Sequence, residues 1–230
     1  MPQSGGCILM NKIAKFVEVG AMNSHAHHLD RDWILERAAG TLDPCLELVV
    51  DAHAELCAQC GEDLKRAQQI GLEIISAMDG RKYQLDYNVV SSACEHDDDV
   101  MILEERLPIP NVVQRFCAES DSRQRRLGPL EETVLLESAN GYKARLLKIH
   151  AGARIPSHTH EGEEVTLVLH GGYTDGNMHF GPGDISLADE RIDHAPVADP
   201  DGPCYVLAVN VGRIKLTGVI GRHFNPFVRF

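Results

Sequence analysis

The side chains best suited to chemistry lie on one stretch in the second half of the chain. His158, His160 and Glu164 form an H-x-H-x3-E array, which Gly152 and Gly171 frame. On a strand, side chains alternate between the two faces, so these three even-numbered residues can point into one cavity. Two imidazoles and a carboxylate that converge on one point are typical of a metal site. The array therefore predicts three ligands of a divalent metal.

A fourth ligand to this metal should come from a neighbouring strand, and His194 is the best candidate. It follows a Gly-Pro-Gly-Asp sequence at residues 181–184, a tight-turn signal that would end one hairpin and open another. A lone histidine on an apolar strand is more often a hydrogen-bonded core residue. Four ligand-type residues at these spacings instead favour a site for zinc or another divalent metal such as Mn, Fe or Ni.

The amino-terminal half carries a second group, His53-x3-Cys57-x2-Cys60. A histidine and a cysteine four residues apart lie on one face of a helix, and the next turn of chain brings Cys60 to the same point. Structural Zn2+ takes four nitrogen or sulfur ligands in a tetrahedron, so one more is needed. A redox-active CxxC is the alternative, but no β-α-β pattern surrounds it. The upstream histidines that could complete the site are His25, His27 and His28.

The residues around this group have the periodicity of helices. Asp30 fits the N-cap of a first helix that stops at Gly40. Asp43 fits the N-cap of a second helix, with Pro44 in the position that proline favours. Residues 57–61 are predicted to form a turn before a third helix with an apolar side. A zinc site would stabilise this unit, whose own core is small.

From Leu127 onward the pattern changes to short strands separated by turn signals such as Asn140-Gly141. The run at 165–169 is nearly all apolar, as expected for a strand that is covered on both faces. The predicted strands are residues 133–136, 144–149, 165–169, 185–187 and 205–211. Between the halves we expect an acidic loop and short helices at 101–107 and 111–117, followed by a solvated segment at 119–126.

The chain is therefore predicted to be an α+β protein with two domains, a small zinc-binding helical bundle and an antiparallel β-barrel or jelly roll. The predicted boundaries are 1–23 for a poorly ordered extension, 24–108 for the helical domain, 109–126 for a linker and 127–230 for the barrel. Met22 is an alternative candidate for the translation start.

Composition excludes several classes of function. The net charge of -12 over 230 residues argues against direct nucleic-acid binding, which needs lysine and arginine, and suits a basic protein partner instead. No apolar run reaches the length of a membrane span. Seven scattered cysteines do not form the even set of a secreted disulfide scaffold. We expect a cytoplasmic protein that does not associate with membranes.

The H-x-H-x3-E array resembles the first cupin motif, G-x5-H-x-H-x3-E-x6-G, at every position from Gly152 to Gly171. The second cupin motif is matched less well, because the turn and His194 are present but Ala198 stands where that family often has asparagine. The resemblance implies that the barrel is a cupin. It also implies that the barrel could pair with a second copy to form a homo-oligomer.

A His-x3-Cys-x2-Cys helical unit joined to a carboxy-terminal cupin resembles the ChrR family of anti-sigma factors. In that family a histidine about twenty-five residues before the motif histidine completes the zinc site. The resemblance therefore implies His28 as the fourth ligand beside His53, Cys57 and Cys60, with His27 or His25 as substitutes.

Three functions are consistent with these observations. The resemblance implies an anti-sigma factor without catalytic residues, whose zinc domain inhibits a sigma factor of the extracytoplasmic-function (ECF) type. Its cupin would sense oxidative stress, such as singlet oxygen, and release the partner. The alternative is a cupin metalloenzyme, dioxygenase-like, with an accessory helical domain. A third is a thiol switch, in which oxidation of Cys57 and Cys60 ejects zinc.

Overall fold

A computed structural model of the protein describes residues 28–79, 108–119 and 124–218. Several predicted features lie outside these residues. They are the extension at 1–23, His25 and His27, the acidic loop after residue 79 and the short helix at 101–107.

Four helices lie in the described part of the chain, and the first two begin at the predicted N-caps. The helices are α1 (Arg31–Ala38), α2 (Pro44–Leu56), α3 (Ala58–Asp79) and α4 (Asn111–Glu119). The Asp30 side chain accepts a hydrogen bond from the backbone of Asp32, and the Asp43 side chain accepts one from Cys45, so the first two predicted starts are confirmed. No helix among these residues has the length and apolar character needed to cross a membrane.

The turn predicted at residues 57–61 is wrong. Cys57 is the sole residue between α2 and α3, with an extended backbone (φ -116°, ψ 106°), and α3 begins at Ala58. Gly61 lies inside α3, where a β-carbon would sit 2.8 Å from the carbonyl oxygen of Ala54. The glycine therefore permits close packing of α3 against α2 and does not form a turn.

The second half of the described chain is antiparallel β structure, which confirms the predicted fold class. A six-stranded sheet has the order β1-β2-β3-β10-β5-β8, and two smaller sheets have the orders β7-β6-β9 and β11-β4. The strands are β1 (Gln124–Leu127), β2 (Leu130–Glu137), β3 (Lys143–Ile149), β4 (His158–His160), β5 (Glu164–His170), β6 (Tyr173–Asp175), β7 (Met178–Phe180), β8 (Ile185–Ala188), β9 (Val197–Ala198), β10 (Cys204–Asn210) and β11 (Ile214–Leu216).

The six-stranded sheet is covered on both faces. On β3, Ala144 and Leu146 belong to the core shared with the helices, whereas Arg145 and Leu147 line the interior of the barrel. The strand β5 is buried at every position except His170, as its apolar sequence predicts. All five strands predicted from the sequence are present.

The helices pack directly on this sheet. The helix α2 contacts β3, β5 and β10, and its residues Leu46 and Val49 share one hydrophobic core with Leu167 and Leu207. The carboxylate of Asp43 caps α2 and also accepts hydrogen bonds from side chains of the β2–β3 turn, namely Ser138 at 2.8 Å and Asn140 at 2.9 Å. A change in the shape of the sheet would therefore reach α2 directly.

The segment assigned to a linker, residues 109–126, contains regular structure in its described part. It holds α4 and most of β1, which pairs with β2. The helix α4 packs against both α2 and β2. The domain boundaries themselves stay a prediction.

Candidate metal centres

The structure brings His28, His53, Cys57 and Cys60 together at one corner of the helical unit. One ligand atom from each residue lies within 4.8 Å of the others. His28 Nδ1 is 3.3 Å from the Sγ atom of Cys57 and 3.7 Å from that of Cys60. His53 comes from α2, Cys57 from the break between helices, Cys60 from the first turn of α3, and His28 from the segment before α1.

The chemistry of these side chains fits a zinc ion. The imidazole of His53 is fully buried, and neither ring nitrogen has a partner with good hydrogen-bond geometry among the described residues, although the backbone of Gly183 lies near the ring. An unpaired buried polar group costs about 1–3 kcal/mol, which a bond to zinc would offset at one nitrogen. Burial lowers the pKa of His53 to about 4, so the ring is neutral and can act as a ligand at neutral pH.

The cysteines of this site are placed to bind metal as thiolates. The backbone N–H of Leu29 donates to Cys60 Sγ at 3.4 Å, a contact that favours a negatively charged sulfur. Burial raises the pKa of Cys60 to about 11, so zinc would have to displace the thiol proton on binding. Four nitrogen and sulfur ligands fill the tetrahedral coordination of zinc, which is the arrangement of a structural site.

A second group of ligand atoms lies in the barrel. His158 and His160 occupy β4, and His194 forms an antiparallel bridge to His158 through two backbone hydrogen bonds of 3.0 Å. One ring nitrogen from each histidine lies within 4.8 Å of the other two. The Nε2 atoms of His160 and His194 are 3.1 Å apart.

Hydrogen bonds orient two of these rings for metal binding. His158 Nδ1 lies 2.8 Å from the carbonyl of Pro156, and His194 Nδ1 lies 2.7 Å from the carboxylate of Asp175. Since these oxygens only accept, each Nδ1 donates and each Nε2 presents its lone pair to the centre. Burial lowers the pKa of both His158 and His160, which favours the neutral rings. The three rings thus fit a shared divalent cation.

Glu164, the remaining predicted ligand, lies beside the three histidines. Its Oε2 atom is 3.8 Å from Nδ1 of His160, but the carboxylate is not part of the group that shares the 4.8 Å limit. Burial tends to raise the pKa of Glu164, whereas nearby positive charge, including that of the Arg145 guanidinium, brings it below its usual value. Its role as a ligand stays a prediction.

Three residues near this centre were not identified from the sequence. Asp175 precedes Gly176, and an Asp-Gly pair in a sequence indicates a hairpin turn. Nothing else in the sequence around Asp175 indicated that its carboxylate contacts His194. Arg145 and Glu132 are nearly fully buried in the barrel and form an ion pair of 3.4 Å. An arginine within the apolar run of β3 was a usable signal for a functional group.

Comparison with known proteins identifies the family to which this chain is similar. Residues 127–214 match the ChrR cupin-like domain family. The chain is 30% identical over 213 residues to the anti-sigma-E factor ChrR of Cereibacter sphaeroides, a match that covers 88% of this chain and 98% of that protein. The chain belongs to the ChrR family.

A solved structure from this family supports the same arrangement. In the crystal structure of Rhodobacter sphaeroides SigE in complex with the anti-sigma ChrR, the matching chain is 30% identical, with a TM-score of 0.58. The alignment covers 80% of this chain and 98% of that one. The resemblance to the ChrR family is thus confirmed for both the helical and the barrel halves.

Proposed function

We propose that this protein is an anti-sigma factor that binds and inhibits an ECF-type sigma factor through its helical zinc domain, predicted at residues 24–108. The support is the relative named anti-sigma-E factor, which matches over nearly its whole length, and the related structure in which ChrR is bound to SigE. A regulator of this kind needs no catalytic residues.

One feature of the helical half carries the proposal. The outer half of α3 exposes large apolar side chains, with Ile74 at 56% and Met78 at 83%. Ile70, Ile74 and Met78 are spaced four residues apart, so they form one stripe on the helix. Contiguous exposed apolar surface marks sites of protein interaction. We propose that the sigma factor covers this α3 stripe.

Zinc bound by His28, His53, Cys57 and Cys60 would fix the relative positions of the helices and thereby the position of the α3 stripe. The four ligands join the segment before α1 to the corner between α2 and α3. The completed tetrahedron leaves no coordination position for a substrate, so the metal would be structural. The acidic character of the chain would speed its encounter with a basic partner.

The cupin half would supply the signal. We propose that His158, His160, Glu164 and His194 bind a divalent metal and that oxidative stress acts on this centre to release the sigma factor. The shared core between the sheet and α2 supports such a coupling, because a rearranged barrel would shift α2 and the zinc ligand His53.

One observation favours the alternative of a metalloenzyme. Three histidines beside a cavity resemble the open coordination of catalytic metal sites. An enzyme would not require the α3 stripe or the helical zinc site, however, and the family match covers the helical half as well.

The direct test is co-expression with candidate ECF-type sigma factors from the same organism, followed by affinity capture and metal analysis. Wild-type protein is expected to capture the sigma factor, and Ile74→Asp is expected to lose capture while it keeps its zinc. The matched control is Gln69→Asp, which adds the same charge to α3 away from the stripe and should not affect capture. Equal capture by wild type and Ile74→Asp would exclude the α3 stripe as the interface.

A further inference from the structure

The turn between β7 and β8, residues 181–184, lies against the end of α2. A β-carbon placed on Gly183 would be 3.9 Å from that of Leu56, the last residue of α2. Burial lowers the pKa of His53, whereas the backbone of Gly183 and the charge of Asp184 raise it, so both groups lie near the ring. The barrel therefore reaches the helical metal centre at this turn.

Hydrogen bonds within the barrel hold the turn in one conformation. The Asp184 carboxylate accepts from the backbone N–H of Gly181 at 2.8 Å, and the Asp184 N–H donates to the Gly181 carbonyl at 3.0 Å. The N–H of Gly183 donates to the carbonyl of Val168 at 2.9 Å, which ties the turn to β5. Gly183 has a φ of 90°, a conformation that glycine adopts without strain. The barrel thus sets the position of the Gly183 carbonyl.

His53 needs a second contact if it binds zinc. Its ring is fully buried, and neither nitrogen has a partner with good hydrogen-bond geometry among the described residues. With zinc on one nitrogen, the neutral ring carries its proton on the other, and this buried donor requires an acceptor. Metal-bound histidines commonly donate this proton to a carboxylate or a backbone carbonyl, which fixes the orientation of the ring.

The backbone carbonyl of Gly183 meets this requirement. The N–H of Gly183 already donates to Val168, so its carbonyl is the backbone group able to pair with the His53 ring. Burial has the larger effect on the pKa of His53, and the backbone of Gly183 opposes it. That direction is expected of a carbonyl that accepts from the ring.

We propose that the barrel supports the helical zinc site from outside, because the Gly183 carbonyl accepts a hydrogen bond from His53 and positions its ring for zinc. The β7–β8 turn is then a positioning element for a site whose four ligands all come from the helical half. A displacement of this turn would weaken zinc binding. The inference rests on the zinc site of the proposed function and is independent of sigma-factor binding.

The test compares two glycine substitutions in the metal-loaded full chain. Gly183→Ala strains the turn, displaces the carbonyl and should weaken zinc binding by about 10–100-fold. The matched control is Gly128→Ala in the β1–β2 turn, which also has a positive φ (62°) and no described atom within 4 Å of the added β-carbon. This control should keep the wild-type affinity, and thermal unfolding checks that both variants fold.

Chelator competition on cobalt-substituted protein measures the affinity. Absorption from thiolate–cobalt bonds reports the helical centre alone, because the ligand group in the barrel contains no cysteine among the described residues. Equal affinities of Gly183→Ala and Gly128→Ala would overturn the inference and leave the zinc site itself standing. Wild-type protein that binds no metal through Cys57 and Cys60 would contradict both.

Nuclear magnetic resonance of the His53 ring tests the positioning role directly and requires no variant. In the zinc-loaded wild type, the protonated ring nitrogen should give a downfield proton with a nuclear Overhauser contact to Gly183 or Asp184. This proton should move upfield in Gly183→Ala and stay unchanged in Gly128→Ala. A wild-type ring proton without contact to the turn would overturn the inference, whatever the variants show.

Discussion

The two candidate metal centres differ in the number of ligands they supply and in what lies beside them. The helical centre gathers four nitrogen and sulfur ligands at a helix corner, whereas the barrel centre gathers three imidazoles beside a cavity. A complete tetrahedral set suits a structural ion, and an incomplete set leaves positions for an exchangeable ligand. Under the proposed function, the chain would use metal for rigidity in the helical half and for response in the barrel.

The largest expected effect on sigma-factor binding comes from removing one of the four ligands of the helical centre. Cys60→Ser should remove one equivalent of zinc and abolish sigma-factor capture, because structural zinc contributes about 10–16 kcal/mol to the folding of small zinc units. Metal analysis and affinity capture provide the measurements. Cys117→Ser is the control, since this thiol is outside the site. Normal inhibition by a variant that lacks the helical zinc would refute the structural role.

Removing the barrel ligands should preserve binding of the sigma factor but impair its release. The double variant His158→Ala, Glu164→Ala should lose the barrel metal and keep sigma-factor capture, but oxidant-induced release should fall severalfold or more. A transcription reporter under the sigma factor measures the release. If the double variant releases its partner like the wild type, the barrel metal is not the sensor.

A smaller effect is expected from a substitution that leaves the barrel ligands in place but removes a contact to one of them. Asp175→Asn replaces the carboxylate that orients His194 and should weaken metal binding there by about 10–100-fold, the usual cost of losing such a contact. Chelator competition measures the affinity of each centre. The helical zinc should be unaffected, and an unchanged barrel affinity would show that the carboxylate does not support the metal.

The smallest effect concerns the packing of the helix corner. Gly61→Ala should destabilise the helical half by about 1–3 kcal/mol, since its β-carbon would meet the Ala54 carbonyl at 2.8 Å. Gly71→Ala, in the same helix but with open space around it, should be neutral or stabilise by up to about 1 kcal/mol. Denaturant unfolding compares the two, and equal stabilities would mean that the corner tolerates a side chain.

Local rules predicted much of this molecule. Asp30 and Asp43 indicated two helix starts because an N-cap acts through its own neighbouring backbone. The spacing of His53, Cys57 and Cys60 and of His158, His160 and Glu164 indicated parts of both ligand groups. The choice of His28 came from the family resemblance. Alternation and apolar runs were sufficient for the five longer strand predictions, including the buried β5.

Features that depend on distant parts of the chain were not predictable in this way. The sequence around Gly61 resembles a turn, but this glycine allows α3 to pack closely against Ala54 of α2. That contact joins two helices and cannot be inferred from neighbouring residues. The contact between Asp175 and His194 likewise depends on tertiary structure. Five strands of two or three residues, β4, β6, β7, β9 and β11, are too short to show a period.

The most direct test of the division between the two centres is stepwise chelation of the complex with its sigma factor, followed by native mass spectrometry. We expect the complex to persist after the barrel metal leaves and to dissociate when the helical zinc is removed. Dissociation on loss of the barrel metal alone, or a complex that survives loss of both metals, would contradict it.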